Sequence, residues 1–288
     1  MTTRPDGTSV RHALAEWVLP PGVKRALVRI PTARRRRMSR AERVVLASNS
    51  RLQGAFSGRR CFVLANGPSL ANVDIDSFGS EVTVVMNAFN RHPAIRLWQP
   101  TVHCVAEPAD AYTSPEKLEF LREMLTGYTS TIHVFPLEMK ALFEETGLLP
   151  PERLVLFKAD STPASEFDRV DLTGLIPSPH DTSVLAVSVA IAMGCDPIVI
   201  LGLDQNGLSH QGINRHFYDD ATVPWPVEDL GLTPYLVKMR QGITTFEAHA
   251  ALGRIAARNG QTIFNATEGS FLDVYPRATL ADLLAPKD

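Results

Sequence analysis

The clearest structural signal in this chain is the segment 61–70, which reads Cys-Phe-Val-Leu-Ala-Asn-Gly-Pro-Ser-Leu. Five mostly apolar residues run into a Gly-Pro break, which is typical of a buried strand that enters a tight turn. Proline suits a first helical turn and serine can cap one, so the turn predicts a helix start. Backbone N–H groups at such a strand–turn–helix junction can hold an anion. The segment therefore fits either a phosphate-binding turn or an ordinary βα connection.

Further apolar runs alternate with helical patterns along the rest of the chain. The predicted strands are 61–65, 82–86, 101–105, 131–135, 153–157, 197–202 and 262–265. Continuous Val, Ile and Leu runs of this kind are typical of strands that are buried on both faces. The clearest helix covers 182–193 and is apolar almost all round, and a second lies near 244–258. The pattern predicts an α/β, Rossmann-like domain whose mostly parallel sheet carries helices on both faces.

Length and composition limit the protein class. The chain has 288 residues, of which 44% are hydrophobic and 21% are charged, as expected for a soluble globular protein. Its three cysteines, Cys61, Cys104 and Cys195, are scattered without metal spacing and predict reduced core residues of a cytosolic protein. No apolar run approaches the roughly 18 residues that a membrane span needs, and no signal-peptide pattern follows Arg4 or Arg11.

The charge is distributed unevenly along the chain. Residues 1–57 hold 12 Lys and Arg against 3 Asp and Glu, whereas the remainder holds 17 against 28. We therefore predict a basic, helical N-terminal arm over residues 1–57 and a separate domain over residues 58–288. An anionic membrane surface suits the arm, because it combines an Arg34–Arg37 run with Trp17 and aliphatic residues. A solvated or docking arm is the alternative, and no nucleic-acid recognition motif accompanies the charge.

Polar residues follow several of the predicted strands. They are Asn66, Asn87, Glu107, Asp204 and Asn265. Ligands bind beyond the carboxyl ends of the strands in open α/β sheets, so these side chains are expected to share one edge. Asparagine offers a donor and an acceptor together, which suits ribose hydroxyls and base edges. Each residue alone could be a simple turn former, but their repeated placement predicts a nucleotide site.

The segment 202–220 is the richest in reactive side chains. Histidine changes its charge near neutral pH, so His216 is the predicted general base, with His210 as its competitor. Arg215 and Tyr218 can neutralise a phosphate leaving group. The alternative is that these residues only form surface hydrogen bonds. His103 and His133 fall within predicted strands and are interpreted as core histidines, not catalytic groups.

Other motifs exclude several classes of enzyme. No Gly-x-x-x-x-Gly-Lys-Ser/Thr loop, His-Glu-x-x-His pair or Cys/His cluster is present in the sequence. Asp74-Ile75-Asp76 has the spacing of a glycosyltransferase metal motif but directly follows the first glycine turn. We interpret these carboxylates as polar residues beside a helix, and the sequence predicts no metal site.

The chain resembles a known superfamily. The motif Arg-Cys-Phe-Val-Leu-Ala-Asn-Gly-Pro-Ser-Leu is similar to the opening of the bacterial lipooligosaccharide sialyltransferases, the motility-associated factors that glycosylate flagellin, and the archaeal 6-hydroxymethylpterin pyrophosphokinase-like domains. The similarity covers roughly residues 58–280 and is greatest to uncharacterised surface-polysaccharide proteins. Further matching segments are Val85–Phe89, Asp181–Val184 with Ala190–Gly194, Ile200–Asp204 and Ile263–Ser270.

The resemblance implies a sialyltransferase variant of the GT-A-like fold and a nucleotide-activated sugar donor, CMP-linked in the sialyltransferase branch. The first turn, Asn66-Gly67-Pro68-Ser69, would approach the donor phosphate or ribose. Asn87 would contact the nucleotide, and Thr182 and Ser183 would bind the donor at a helix N-terminus. Asp204 would lie at the sugar–nucleotide junction. No cofactor would be required.

This chain departs from the pattern at two places. Ala65 stands where the first glycine is usual, which leaves less room for a phosphate. The sialyltransferases keep a catalytic histidine just before the helix near 244–258, where this chain has Lys238 and Arg240. Either His216 or His210 has taken over the role of the base, or the reaction differs.

These observations lead to one main hypothesis and two alternatives. The main hypothesis is a cytoplasmic, inverting glycosyltransferase of surface glycan assembly, held at the inner membrane face by its arm, with a glycan or glycolipid acceptor. The first alternative is a pterin pyrophosphokinase that uses ATP and magnesium, with Asp204, Asp219 and Asp220 as candidate ligands. The second is a non-catalytic nucleotide-sugar-binding protein. The sequence leaves open whether the protein is a homo-oligomer.

Overall fold

The computed structural model describes residues 38–209, 216–218 and 234–285. The chain divides into two compact units, Met1–Ser39 and Arg40–Asp288, and all the helices and strands below belong to the second unit. None of the helices in the described ranges combines the length and apolar character that a membrane span requires.

The sheet of the second unit has eight strands, all paired in parallel. The strands are β1 Cys61–Leu64, β2 Val82–Met86, β3 Val102–Cys104, β4 Ile132–Pro136, β5 Leu154–Asp160, β6 Leu175–Pro177, β7 Ile198–Leu201 and β8 Ile263–Asn265. Their order across the sheet is β6-β5-β4-β3-β2-β1-β7-β8. The predicted Rossmann-like α/β fold is therefore confirmed, and β6 is the strand that the sequence prediction missed.

Six α-helices accompany the strands in the described ranges. They are α1 Arg40–Ala47, α2 Pro115–Leu125, α3 Lys140–Thr146, α4 Thr182–Ala192, α5 Pro234–Arg258 and α6 Leu280–Leu284. The predicted helix 182–193 is confirmed as α4, and the helix predicted near 244–258 begins earlier, at Pro234. The glycine turn after β1 leads only into a short 3-10 helix, Pro68–Asn72, which has no side-chain cap. Proline occupies its first turn as predicted, but the predicted cap by Ser69 does not form.

Helix α4 lies at the centre of the core. All its residues are buried, and it packs on β1, β2, β3, β7 and α5. A helix that is apolar almost all round is stable only when protein covers it on every side. Its first turn points towards the carboxyl ends of the central strands, where Asp181 caps it. The N-terminus of α4 therefore lies at the carboxyl edge of the sheet, where ligands bind in folds of this kind.

Part of the predicted arm is built into this second unit. Leu46 and Leu52 are buried in the core. The Asn49 side-chain amide donates to the carbonyl oxygens of Leu156 and Leu172 at 2.7 and 2.8 Å. Residues 40–57 therefore belong with the sheet, and the compact unit begins at Arg40 instead of residue 58.

The strand order reverses direction beside β1. From β1 the chain adds β2 to β6 outwards on one side, and then returns to place β7 and β8 on the other side. The connections after β1 and β7 therefore leave the sheet in different directions and open a crevice between them. Ligands of doubly wound sheets bind at such a switch point.

Candidate functional site

A cavity of about 580 Å³ lies at the switch point. It is lined by residues that follow β1, β2, β3, β6 and β7 and by one face of α5. The residues predicted for the site that line it are Asn66, Gly67, Asn87, Thr182, Ser183, Asp204 and His216. Pro68 and Ser69 lie next to it in the 3-10 helix, and Arg215 and His210 fall outside the described residues.

Two buried amide oxygens of the cavity have no hydrogen-bond partner. Asn66 is only 5% exposed, and its side-chain N–H donates to the Met86 carbonyl at 2.9 Å. The Oδ1 atoms of Asn66 and Asn87 are both buried and unpaired. Leaving such an acceptor without a donor costs on the order of 1–3 kcal/mol. Because the two atoms are covered by protein, a ligand with N–H or O–H donors would recover this energy only if the side chains turn towards the cavity that they line.

Asn87 is also held in an uncommon backbone conformation, with φ of +46°. Its carbonyl oxygen accepts a hydrogen bond of 2.7 Å from His103 Nε2. Because a carbonyl can only accept, that nitrogen carries the proton, and His103 Nδ1 must accept from His133 Nδ1 at 3.1 Å. The two imidazoles therefore form a buried support behind Asn87.

The two supporting histidines are neutral. Burial lowers the pKa of His103 to about 4. Burial and the neighbouring His103 and Arg153 lower the pKa of His133 to about 2. Both rings lie in strands and are fully buried, as the sequence predicted. The Nε2 atom of His133 nevertheless has no hydrogen-bond partner.

The first turn and the loop after β7 meet at Gly67. Its N–H donates to the Gly202 carbonyl at 2.8 Å. A Cβ atom at this position would stand 1.8 Å from Asp204 Oδ2, so only glycine fits. The Ser69 hydroxyl donates to the same carboxylate oxygen at 2.9 Å. The turn therefore positions Asp204 at the cavity, and the hydrogen bond from Ser69 orients the Asp204 carboxylate.

The N-terminus of α4 is capped from within the protein. Asp181 Oδ1 accepts from the backbone N–H groups of Ser183 and Val184 at 2.8 and 3.1 Å, and also from the Ser183 hydroxyl. The other carboxylate oxygen accepts from Gln205 at 3.3 Å. The amide and hydroxyl of Ser183 therefore already have partners, whereas Thr182 lines the cavity beside them.

A chain of hydrogen bonds continues from Ser183 into the core. The Ser183 hydroxyl lies 2.9 Å from His249 Nε2, and the other ring nitrogen of His249 lies 2.9 Å from the Tyr275 hydroxyl. Because Ser183 donates to Asp181, His249 Nε2 donates to Ser183 and Tyr275 donates to Nδ1. Burial lowers the pKa of His249 to about 4, although Asp181 acts in the opposite direction.

Glu107 and Asp181 are two acidic residues of the cavity. Burial raises the pKa of Glu107, backbone hydrogen bonds oppose the shift, and the negative charge of Asp181 adds to it. The sequence placed Glu107 after β3, among the polar residues expected at the ligand-binding edge, but assigned it no individual role. A raised pKa in a cavity is a common feature of functional carboxyl groups.

Residues 216–218 are attached to the first turn. The Phe217 N–H donates to the Asn66 carbonyl at 2.9 Å, and its ring packs edge-on against Phe89. The rings of His216 and Tyr218 are stacked with centroids 4.8 Å apart. Tyr218 lies below the guanidinium of Arg91, at 5.1 Å from its ring centroid. His216 lines the cavity, whereas Tyr218 is not among its lining residues.

Sequence reasoning missed several residues of the cavity and its support. They are His180, Asp181 as a cap, Gln205, Thr245, His249 and Tyr275. A local signal existed for Asp181, since aspartate followed by Thr-Ser before an apolar run is a typical N-cap. His180 precedes that cap directly. Nothing local indicated His249 and Tyr275, because their contacts depend on the packing of α5 and the C-terminal segment.

The described residues contain no group of three or more His, Cys, Asp or Glu side chains arranged to hold a metal ion. Asp74 lies outside the cavity lining, and its carboxylate accepts from the Asp76 N–H at 3.1 Å.

The fold and cavity describe a Rossmann-like α/β protein with a ligand-sized crevice at its switch point. Neither the family models nor the curated proteins contain a match. Among solved structures, the chain is similar to the MAf glycosyltransferase from Magnetospirillum magneticum AMB-1, with 16% identity and a TM-score of 0.44 over 86% of this chain. The chain spans 39% of the length of that protein.

The chain is also similar to the sialyltransferase CstII from Campylobacter jejuni, solved with cytidine-5'-monophosphate. The identity is 14% and the TM-score 0.44, over 77% of this chain and 86% of that one. A second CstII structure, solved with CMP-3FNeuAc, has 13% identity and a TM-score of 0.43 with the same coverage.

Proposed function

We propose that this chain is a glycosyltransferase that takes its sugar from a nucleotide-activated donor. The observation that carries the proposal is a cavity at the switch point whose lining includes Asn66 and Asn87, each with a buried Oδ1 atom that has no hydrogen-bond partner. A nucleoside offers hydroxyl and amino donors to such acceptors. The cavity volume of about 580 Å³ lies within the range of small-molecule sites.

The donor is bound along the carboxyl edge of the central strands. Asn66 and Gly67 approach its ribose or phosphate, Asn87 contacts the nucleotide, and Thr182 adds a hydroxyl. Asp204 lies at the sugar–nucleotide junction, where the Ser69 hydroxyl orients its carboxylate. A CMP-linked donor is implied by the resemblance and is the first candidate for the nucleotide.

The reaction is an inverting displacement at the anomeric carbon. His216 removes the proton of an acceptor hydroxyl, the oxygen bonds to the anomeric carbon, and the bond to the donor phosphate breaks. Arg215 balances the charge of the departing nucleotide, and Tyr218, which stacks on His216 outside the cavity lining, positions the base. A nucleoside monophosphate leaving group requires no divalent metal for this step.

We infer the acceptor and the location from the basic arm. Its positive charge and scattered apolar residues suit the anionic inner face of a membrane, where glycolipid or glycan acceptors of surface polysaccharide assembly are available. Co-sedimentation with anionic vesicles should therefore require residues 1–39 and should weaken as salt is raised. Equal co-sedimentation with and without these residues would contradict the membrane role.

A pterin pyrophosphokinase is the second candidate, because Asp204 lines the cavity and the other two predicted ligands, Asp219 and Asp220, closely follow the lining residue His216 in the sequence. Carboxylates are the usual protein ligands of the magnesium that accompanies ATP. A thermal-shift panel of CMP, UDP and GDP sugars against ATP with magnesium separates the two functions. Stabilisation by nucleotide sugars supports the transferase, and stabilisation by ATP with magnesium alone supports the kinase. If nucleotide sugars bind but no sugar is transferred to any glycan, the protein is a non-catalytic nucleotide-sugar-binding protein.

A further inference from the structure

The motif that follows β8 lies outside the cavity. The sequence predicts Asn265 at the ligand-binding edge, but none of the residues 265–277 is among the described residues that line the cavity. The Asn265 side chain is 1% exposed, and its amide donates to the Ser270 hydroxyl and the Leu272 carbonyl at 3.1 and 2.8 Å. Its Oδ1 accepts from the Thr267 N–H at 3.0 Å. The polar atoms of Asn265 are therefore engaged within the protein, where they organise the turn after β8.

Two hydroxyl groups of this turn hold the chain at the end of β7. The Leu203 N–H donates to Thr267 Oγ1 at 3.1 Å, and the Ser270 hydroxyl donates to the Leu203 carbonyl at 2.6 Å. Both side chains are buried. Regular pairing between β7 and β8 stops at Asn265, so the hydroxyls supply the partners that the neighbouring strand no longer offers.

The residue after Leu203 carries a carboxylate of the cavity. The Asp204 carbonyl accepts from the Phe271 N–H at 2.8 Å, so the motif after β8 binds three backbone groups of Leu203 and Asp204. The Asp204 carboxylate accepts from the Ser69 hydroxyl at 2.9 Å. The backbone of Asp204 is therefore held by the motif after β8 and its side chain by the turn after β1.

Arg277 closes the turn that carries the two hydroxyls. Its guanidinium donates to the Thr267 carbonyl at 3.1 Å and to the Ser270 carbonyl at 2.5 Å. The fork of a guanidinium can bond to two such oxygens at once. The Asn-Ala-Thr and Pro-Arg parts of the C-terminal sequence motif are thus joined in one hydrogen-bonded unit.

We propose that Thr267 and Ser270 are positioning residues of the nucleotide site. They act through the backbone of Leu203 and Asp204, which they hold so that the Asp204 carboxylate stays in the cavity, and they do not contact the ligand themselves. The inference rests on the proposed function, in which Asp204 lies at the sugar–nucleotide junction of the donor. It gives the motif after β8 a role in ligand binding from outside the cavity lining.

Titration calorimetry of the full chain with CMP-N-acetylneuraminate, and with UDP-linked and GDP-linked sugars, tests the inference. Thr267→Val removes the acceptor of the Leu203 N–H at nearly constant shape, so the affinity for the nucleotide sugar that binds should fall at least about fivefold. Ser270→Ala should have a similar effect, because it frees the Leu203 carbonyl. Thr267→Ser restores the hydroxyl oxygen and should bind within about twofold of the wild type.

Thr131→Val is the matched control for a loss of stability alone. The Thr131 hydroxyl is buried and donates to the Pro100 carbonyl at 2.7 Å, and Thr131 is not among the described residues of the cavity lining. The substitution should lower the melting temperature, as Thr267→Val does, but leave the affinity unchanged. A merely structural role of Thr267 would give the two variants the same affinity.

A second substitution tests whether the effect of Thr267 is transmitted through Asp204. Asp204→Ala removes the carboxylate that is positioned, so Thr267→Val should cause no further loss of affinity in that background. Asp204→Asn is used in the same comparison if the alanine variant binds too weakly to measure.

The outcomes separate the inference from the proposed function. Wild-type affinity in Thr267→Val, an equal loss of affinity in Thr131→Val, or an undiminished effect of Thr267→Val without the Asp204 carboxylate overturns the inference and leaves the transferase intact. If no nucleotide sugar binds to the wild type, the proposed function fails, and the inference that rests on it fails as well.

Discussion

Gly67 approaches Asp204 so closely that a Cβ atom on the glycine would stand 1.8 Å from the Asp204 Oδ2 atom. It would also stand 2.5 Å from the Gly202 carbonyl oxygen. The contact joins the turn after β1 to the loop after β7, which are the two sides of the switch-point crevice. Only glycine at position 67 therefore leaves room for the Asp204 carboxylate, and this requirement holds even when no ligand is bound.

Replacing this glycine should disrupt the site. Gly67→Ala must displace Asp204 or the turn, so we expect at least a tenfold loss of nucleotide affinity, measured by titration calorimetry, and a lower melting temperature. Gly174→Ala is the matched control, because its added Cβ meets only a carbonyl oxygen at 3.7 Å. Wild-type affinity in Gly67→Ala would show that the contact does not organise the site.

The buried histidines predict how stability depends on pH. His103 and His249 titrate near pH 4 in the folded protein, whereas an unfolded histidine titrates near 6.5. Between these values the unfolded chain binds more protons, so the free energy of unfolding should fall as the pH falls from about 6.5 to about 4. Urea unfolding at a series of pH values measures this slope.

Substitutions show whether these two histidines cause the dependence of the unfolding free energy on pH. His103→Asn and His249→Gln should each flatten the dependence on pH, because each removes one proton-binding difference between the folded and unfolded chains. His180→Gln, which changes an exposed imidazole, should leave the slope as in the wild type. A flat wild-type profile over this range would contradict the neutral, buried state of the two rings.

Truncation tests where the compact unit begins. A chain that starts at Arg40 should fold, whereas one that starts at Gly58 loses the buried side chains of Leu46 and Leu52 and the hydrogen bonds of Asn49. Each buried leucine contributes about 1.5–3 kcal/mol, so the shorter chain should melt far lower or fail to fold. Circular dichroism during heating compares the two, and equal melting temperatures would argue against a structural role for residues 40–57.

The strands and α4 could be predicted because strands and helices that are buried on all sides consist of continuous runs of apolar residues. The edge at which Asn66, Asn87 and Asp204 collect follows from the parallel order of the strands alone. Strand β6 was missed because it has only three residues, Leu175–Pro177, and ends in a proline. A run this short has no detectable period.

The rest of the site depends on tertiary contacts. His249 meets Ser183 across two helices, and Tyr275 reaches it from the C-terminal segment. The spacing of these three residues in the sequence does not indicate that they lie close together in the fold. The internal cap by Asp181 could have been predicted from its local pattern, but not its place beside Glu107 in the lining of one cavity.

The role of His216 is tested by turnover. A general base contributes on the order of 10²- to 10⁴-fold, so His216→Ala should lose that much transfer while the donor dissociation constant stays unchanged. His210→Ala is the comparison, since it belongs to the same segment. Wild-type turnover in His216→Ala with an inactive His210→Ala would move the role to His210. If both variants remain active, the base lies elsewhere.

Calorimetric titration of the full chain with nucleotide sugars, and in parallel with ATP and magnesium, tests the central claim most directly. The account predicts that a nucleotide sugar binds, and that Asn87→Ala weakens this binding by up to about tenfold, the value of one hydrogen bond. Asn72→Ala, an exposed asparagine outside the cavity, should bind as the wild type does. Tight binding of ATP with magnesium, together with no response to any nucleotide sugar, would contradict the account.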